Sequence, residues 1–199
     1  MKLKSIIFIV LAVFTQIANA QTFGIKGGIN ISTISYDSEE LGSETGSIIG
    51  FHLGSVMELQ INKNLYLNSG LYYSSKGEKF ESLKEFGGTE KTLLKLNCLE
   101  IPLHLQLKFP IEANMFFIQG GPYFGYTLSN KVDGKHGINF GEYGMNRFDF
   151  GVGGAVGFEF GPFVPSIAYQ LGIADQFAYE DIVGRNRVLQ ISLAYMLRK

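Results

Sequence analysis

The sequence predicts an all-β fold, an eight-stranded antiparallel up-and-down barrel that crosses a membrane, and three observations point to it. The first is a leader of the secretory type at residues 1–20. The second is a set of eight long segments in which apolar residues alternate with small or polar ones, with almost no helical periodicity. The third is the connections between the segments, which are long and short in strict turn, as in outer-membrane barrels.

Residues 1–20 have the layout of a secretory signal peptide. A basic start is followed by an apolar run over residues 6–14 and by the small-x-small cleavage site Ala18-Asn19-Ala20. The run is shorter than the roughly 20 apolar residues that a membrane helix needs. We therefore expect cleavage to leave residues 21–199 as the outer-membrane β-barrel domain. An uncleaved amphipathic anchor is the alternative.

The eight segments are predicted as strands because a two-residue period puts alternate side chains on opposite faces. A soluble strand typically has five or six residues, whereas a tilted membrane strand needs about 9 to 11. Short connections of Pro, Gly and Asn follow the second, fourth and sixth segments, so all long loops lie at one end of the barrel. The predicted strands are 22–33, 47–60, 64–76, 92–109, 115–129, 147–160, 163–173 and 186–197.

One face of these segments is apolar and the other is polar. The apolar face has a single charged residue, Lys95, at the loop end of the fourth strand. We therefore expect this face to contact lipid. A secreted lipocalin-like barrel, apolar inside and wet outside, would show the same alternation and is an alternative. Aromatic residues near the strand ends favour the membrane barrel. The predicted girdles are Phe23, Phe109, Phe116, Phe158, Phe160, Phe163 and Tyr195 at the short turns, and Tyr72, Tyr73, Tyr126, Phe148 and Phe150 at the loops.

Charged residues on the polar face are expected to pair inside the barrel, because an unpaired buried ion costs several kcal/mol. Hairpin geometry predicts that Lys26 meets Glu58 near the short turns, while Arg147 and Asp149 are neighbours at the loop end. The predicted network, which we interpret as structural, comprises Lys26, Glu58, Glu100, Arg147, Asp149 and Glu159. An ion-conducting path is the alternative, although the interior of eight strands is just filled by side chains.

We expect the long loops to carry any binding site for a partner. Acids dominate the first loop and recur beside aromatic residues in the fourth, and such a surface can recruit a protein, a glycan or cations that bridge lipopolysaccharide. Solvated loops without a partner are the alternative. The second loop, 77–91, is expected to form a short helical turn at Phe80, Leu83 and Phe86. We call the acidic loop residues the acidic crown: Asp37, Glu39, Glu40, Glu44, Asp175, Glu180 and Asp181.

Enzyme signatures are missing from the sequence. His52, His104 and His136 are not accompanied by an HExxH motif or by close carboxylate spacing, so we expect no catalytic residue, metal ligand or cofactor. The single cysteine, Cys98, excludes a disulfide framework and a cysteine-based zinc site. With 17 basic and 18 acidic side chains, the formal net charge of −1 gives no basic surface for nucleic acid.

Four short motifs lie in order along the mature chain: FGIKGGIN at 23–30, GLYYS at 70–74 followed by Lys76-Gly77, LEIPL at 99–103 and RFDFG at 147–151. Together they resemble the PorT-like family of small outer-membrane β-barrel proteins, with an OmpA-like eight-stranded barrel. The resemblance covers essentially the whole mature chain and implies a Gram-negative outer membrane. One departure is the end of the chain, Arg198-Lys199, where such barrels commonly carry an aromatic residue that the insertion machinery reads.

The expected function is therefore that of a non-catalytic protein of the cell outer membrane with a structural or interaction role. By resemblance, an accessory role in secretion or surface assembly is implied. A transporter or narrow, porin-like channel for small or hydrophobic solutes is the alternative. The expected partners are the lipid bilayer with lipopolysaccharide, the β-barrel insertion machinery and an envelope protein, and the barrel is expected to be monomeric.

Overall fold

Nine strands make up nearly all of the chain that the structure describes. The structure is a computed structural model, and it describes residues 21–36, 46–83, 89–141, 144–177 and 183–197. The predicted signal peptide lies outside these ranges. No helix in them is long and apolar enough to span a membrane. The strands are β1 (Gln21–Tyr36), β2 (Gly46–Gln60), β3 (Leu65–Leu83), β4 (Thr89–Ile111), β5 (Asn114–Val132), β6 (Lys135–His136), β7 (Phe148–Glu159), β8 (Phe163–Gly172) and β9 (Gly184–Leu197).

The sheet closes on itself, since β1 pairs antiparallel with both β2 and β9. Around the ring the order is β1, β2, β3, β4, β5, β7, β8 and β9, with every neighbouring pair antiparallel. β6 has only two residues and extends the hairpin that follows β5. The predicted eight-stranded up-and-down barrel is thus confirmed. Closure leaves none of the eight long strands with an unpaired edge.

Side chains alternate between the lumen and the outside of the wall along most of the strand length. In β8, for example, every second residue is buried and every other one is exposed. The exposed set is apolar, as with Ile49, Leu103 and Ile167, whereas the buried set includes charged residues such as Glu58 and Glu100. This is the reverse of a lipocalin-like barrel, so that alternative is wrong. The wall presents a hydrocarbon surface to its surroundings, as a bilayer requires.

Aromatic side chains on the outer wall contact each other near both ends of the barrel. At the short turns, the ring centroids of Phe116 and Phe158 lie 5.2 Å apart. At the loop end, those of Tyr126 and Phe148 lie 5.1 Å apart. Tyr72 was predicted to belong to the loop-end girdle, but it is only 6 % exposed and points into the lumen. Its neighbour Tyr73 has the outward parity, because consecutive strand residues point to opposite faces.

The β3–β4 hairpin rises well beyond the predicted strand ends. β3 has 19 residues and β4 has 23, and their register continues to the pair Leu83↔Thr89. The predicted helical turn is therefore wrong for Phe80, which pairs with Thr92 in the ladder, and for Leu83, while Phe86 lies outside the described residues. Continued pairing gives the backbone N–H and C=O groups of both strands hydrogen-bond partners, whereas a lone helical turn would leave most of these groups unsatisfied.

Candidate functional site

The upper ion cluster consists of Lys76, Glu100 and Asp149 and lies inside the barrel toward the long loops. Lys76 Nζ lies 2.9 Å from Glu100 Oε1 on β4 and 2.6 Å from Asp149 Oδ2 on β7. The three side chains are at most 3 % exposed. Such charge-assisted hydrogen bonds are strong where water is excluded. The two ion pairs link β3 and β4 to β7, which lies beyond β5 in the ring, so the cluster crosses part of the lumen.

Neutral donors complete the surroundings of Asp149. Asn186 on β9 donates from Nδ2 to Asp149 Oδ2 at 2.9 Å. The Tyr123 hydroxyl donates to the same oxygen at 3.4 Å. Because β8 separates β9 from β7, the Asn186 contact extends the polar network to a further strand of the ring.

The lower ion cluster consists of Glu58, Lys108 and Glu159 and lies toward the short turns. Lys108 Nζ is 2.6 Å from Glu58 Oε2 and also forms an ion pair with Glu159 Oε1. The side chains are 5 to 8 % exposed. Glu58 is on β2 and Glu159 on β7, which stand four strands apart on opposite sides of the ring. The ammonium group of Lys108 therefore links side chains from opposite sides of the barrel.

Polar residues fill the level between the two clusters. His52 contacts Asn30 Oδ1 through Nδ1 at 2.7 Å and Ser192 Oγ through Nε2 at 3.0 Å. His104 Nδ1 lies 3.3 Å from Gln119 Nε2. A cavity of about 20 Å³ remains beside these residues, which is room for about one water molecule. A second cavity of about 20 Å³ lies toward the lower cluster and shares Lys26, Asn68 and Gln119 with the first.

Lys26 lies at this middle level and does not form the predicted pair with Glu58. In the β1–β2 ladder Lys26 is opposite Gly54, whereas Glu58 is opposite Thr22. Four residues of strand correspond to roughly 13 Å, too far for an ion pair. Glu58 is instead paired with Lys108. Lys26 Nζ lies 5.6 Å from the centre of the Tyr72 ring.

Arg147 was predicted to pair with Asp149 in the lumen, and this prediction is wrong. Its Nη1 donates to the carbonyl oxygens of Thr127 and Leu128 at 3.2 and 3.4 Å, and its guanidinium carbon lies 3.8 Å from the centre of the Phe140 ring. Parity fails here because β7 begins only at Phe148, so the strand period no longer fixes the direction of Arg147. The side chain lies at the loop-end rim.

An apolar cluster, here called the apolar plug, lies above the upper cluster toward the long loops. Its centre is Met145, which is fully buried and pairs through isolated bridges with Phe140 and Phe177. Asn146 donates from Nδ2 to the carbonyl oxygen of Phe177 at 3.2 Å, which joins the third long loop to the fourth. The buried residues of the plug are Ile34, Leu94, Leu96, Cys98, Met145 and Phe177.

Of the acidic crown, only Asp175 lies within the described residues. Its Oδ1 accepts hydrogen bonds from the backbone N–H groups of Phe177 and Gly184, both at 3.0 Å. This carboxylate stabilises the base of its own loop. The other six predicted crown residues are outside the described residues: Asp37, Glu39, Glu40, Glu44, Glu180 and Asp181.

The predicted network omitted both lysines that organise the ion clusters, although the strand pattern predicts Lys108 at the same level as Glu58 and Glu159. Lys108 shares the inward parity of His104 on β4, which is the signal that identifies it. Lys76 shares the inward parity of Tyr72 on β3, which is the signal that identifies it, although the predicted strand ended at this residue. Following the two-residue period from Tyr72 to the last residue of the predicted strand finds it.

Candidate metal ligands do not cluster in the described residues. No group of three or more His, Cys, Asp or Glu side chains there is arranged to hold a metal ion. The two interior histidines are instead engaged with amides and a serine hydroxyl.

A closed antiparallel barrel with an apolar wall, aromatic girdles and an ion-paired interior defines an integral outer-membrane barrel protein. The family model for "Outer membrane protein beta-barrel domain" matches residues 16–178, and the chain belongs to this family. The protein therefore lies in the outer membrane, as predicted. A search of the curated proteins found no match.

Solved structures of outer-membrane barrels have the same fold. The outer membrane protein OprG from Pseudomonas aeruginosa is 15 % identical with a TM-score of 0.52, and the match covers 90 % of this chain and 97 % of that one. Neisserial surface protein A (NspA) is 13 % identical with a TM-score of 0.51, covering 87 % of this chain and 96 % of that one. At these identities the likeness shows the fold alone.

Proposed function

We propose that this protein is a non-catalytic, non-conducting barrel whose role in the outer membrane is structural or one of interaction through its long loops. The observation that carries the proposal is the obstruction of the lumen at successive levels. The lower cluster joins opposite walls, the polar layer leaves a cavity of about 20 Å³, and the upper cluster lies beneath the apolar plug. A solute would have to break buried ion pairs to pass.

The interaction role has an envelope protein as its partner, in secretion or surface assembly. The four motifs that resemble the PorT-like family support this, together with the β3–β4 hairpin, whose paired strands continue to Leu83↔Thr89 above the outer apolar wall. Backbone pairing along this hairpin reduces the ordering cost that an unpaired loop pays when it binds. The barrel itself is monomeric and reaches the membrane through the β-barrel insertion machinery.

Single-channel recording in planar bilayers tests the closed lumen. The folded wild-type barrel is expected to show no steady conductance, and Leu71→Ala, a change on the lipid-facing wall, is the matched control. Steady openings of the wild type would instead favour the alternative, a narrow channel for small solutes. Comparing Glu58→Gln with the wild type then decides whether the interior charges line the path, because charges along a pathway set its ion selectivity.

Co-purification tests the interaction role. The native barrel is cross-linked in its own membrane and compared with a variant in which a short turn replaces residues 77–91. Retention of an envelope protein by the wild type and its loss from the shortened variant is the expected result. Equal retention by both would contradict an interface on this hairpin, provided that both run as heat-modifiable, folded barrels on gels.

A further inference from the structure

A basic groove lies at the loop-end rim, where the β5–β6 hairpin meets the start of β7. Its volume is about 840 Å³, and the charged side chains among its described lining residues are all cationic: Lys131, Lys135 and Arg147. Leu128 and Phe140 supply apolar walls, and Ser129, Asn130 and Asn139 supply polar groups. This composition is suited to a ligand with both anionic and apolar parts.

The groove begins where the lipid-facing wall ends. On the β4–β5 pair the outward residues change from Leu99↔Tyr126 to Asn97↔Ser129 and then to Lys95↔Lys131. Between them, Asn97 donates from Nδ2 to Ser129 Oγ at 3.1 Å. Aromatic residues such as Tyr126 mark the membrane interface, so Lys95 and Lys131, two outward pairs further from the bilayer centre, lie at the depth of lipid headgroups.

One cation of the groove, Lys131, directly faces Lys95 of β4, and neither has a described counter-ion. Lys95 and Lys131 are partners in the ladder, and like charges in that position destabilise a sheet. Neither lysine forms an ion pair with a described carboxylate. The nearby Asp133 accepts the Leu93 backbone N–H through Oδ1 at 2.8 Å, which holds this carboxylate in its turn. A bound anion would relieve the repulsion.

Arg147 is held in place for an anion at the edge of the same groove. Its guanidinium stacks against Phe140, and its Nη1 is fixed by the carbonyl oxygens of Thr127 and Leu128. Among the described residues, Nε and Nη2 have no hydrogen-bond partner. A guanidinium has five N–H donors in a planar fork that matches the oxygens of a phosphate group.

We propose that this groove binds the phosphate group of a phosphorylated glycolipid headgroup in the outer leaflet. Lys131, Lys135 and Arg147 contact the phosphate oxygens, and the acyl chains lie along the apolar wall near Leu128. Apolar continuity with the wall favours a lipid over a soluble phosphate, although the two share the same anionic chemistry. The site depends on the position of the barrel in the outer membrane and is independent of the closure of the lumen.

Lipid titration of the folded full-length barrel tests the site. The barrel is held in maltoside micelles, which contain no phosphate, and is titrated with diphosphorylated lipid A and with the same lipid after dephosphorylation, with binding read by native mass spectrometry. The double variant Lys131→Gln/Arg147→Gln is compared with Lys63→Gln/Lys79→Gln, which removes the same charge elsewhere. We expect binding of phosphorylated lipid A to weaken about tenfold or more in the groove variant only.

The outcomes separate the possible ligands. Equal binding of both lipids, or equal loss in both double variants, would overturn the proposal. Displacement of lipid A by millimolar inorganic phosphate would assign the groove to soluble phosphate and overturn the lipid as its ligand. Lys135→Gln, a single change at an exposed residue, provides a second variant if the double variant does not fold. Conductance is unchanged in all these variants, so this result is distinct from that of the closed lumen.

Discussion

The two ends of the lumen use the same chemistry in different surroundings. Each ion cluster is one lysine between two carboxylates, with Lys108 near the short turns and Lys76 near the loops. The side chain of Lys76 is fully buried beneath the apolar plug, while that of Lys108 is 5 % exposed. The upper cluster also receives two neutral hydrogen bonds, from Asn186 and Tyr123, whereas the lower cluster receives one, from Asn68 to Glu58. We infer that the loop end is the more tightly sealed end.

The largest expected effect is that of Lys76→Met. It leaves two carboxylates in the lumen without their cation, and breaking a buried pair in this way costs about 3 to 5 kcal/mol. Urea unfolding in lipid vesicles, followed by the gel shift between folded and boiled barrel, measures the loss. A loss below about 1 kcal/mol would show that water reaches the upper cluster.

Lys108→Met is expected to cost less than Lys76→Met, about 3 to 4 kcal/mol. The reason is the slightly greater exposure of the lower cluster, 5 to 8 % against at most 3 % for the upper one, which lowers the cost of leaving two carboxylates unpaired. The same unfolding assay applies. A larger loss for Lys108→Met than for Lys76→Met would reverse the comparison between the two ends.

Leu103→Arg tests the outer wall between the two clusters. Its side chain is exposed on the lipid-facing surface, and a charge near the bilayer midplane costs about 2 to 4 kcal/mol in a barrel. Folding yield and stability in vesicles measure the effect, with Lys63→Arg at a short turn as the control. Unchanged folding of the Leu103 variant would mean that this face does not contact hydrocarbon.

The smallest expected effect is the coupling free energy measured by a double-mutant cycle at the upper cluster. Glu100→Gln combined with Lys76→Met is expected to be less destabilised than the sum of the single changes, by about 1 to 2 kcal/mol. The second change removes one of the carboxylates that the first leaves unpaired. Additive losses would show that Lys76 and Glu100 do not stabilise each other.

The strand period predicted the fold and the inward position of the interior acids, but not their partners. Glu58 and Glu159 had the correct parity because a strand has a fixed two-residue alternation. Their common partner Lys108 connects strands four positions apart in the ring, and that contact depends on how the closed barrel is staggered. Hairpin proximity instead suggested Lys26, which the ladder places roughly 13 Å along the strand from Glu58.

Sequence patterns were least informative at the strand ends. Arg147 lies one residue before β7, where the backbone leaves the ladder and the side chain turns toward Phe140 at the rim. The basic groove was missed for the same reason, since it combines Lys131 and Lys135 of a hairpin with an arginine distant in sequence. Loop residues acquire their neighbours from the folding of the loop, which has no short period.

The most direct test of the closed lumen is the reactivity of Cys98. This single cysteine is fully buried in the apolar plug, and its thiol Sγ lies 3.5 Å from Thr127 Oγ1. In vesicles, a small charged thiol reagent should leave Cys98 of the folded barrel unmodified and react fully after unfolding. Ser129→Cys in a Cys98→Ser background, at an exposed position on the rim, should react at once. Rapid modification of Cys98 in the folded wild type would contradict a sealed interior.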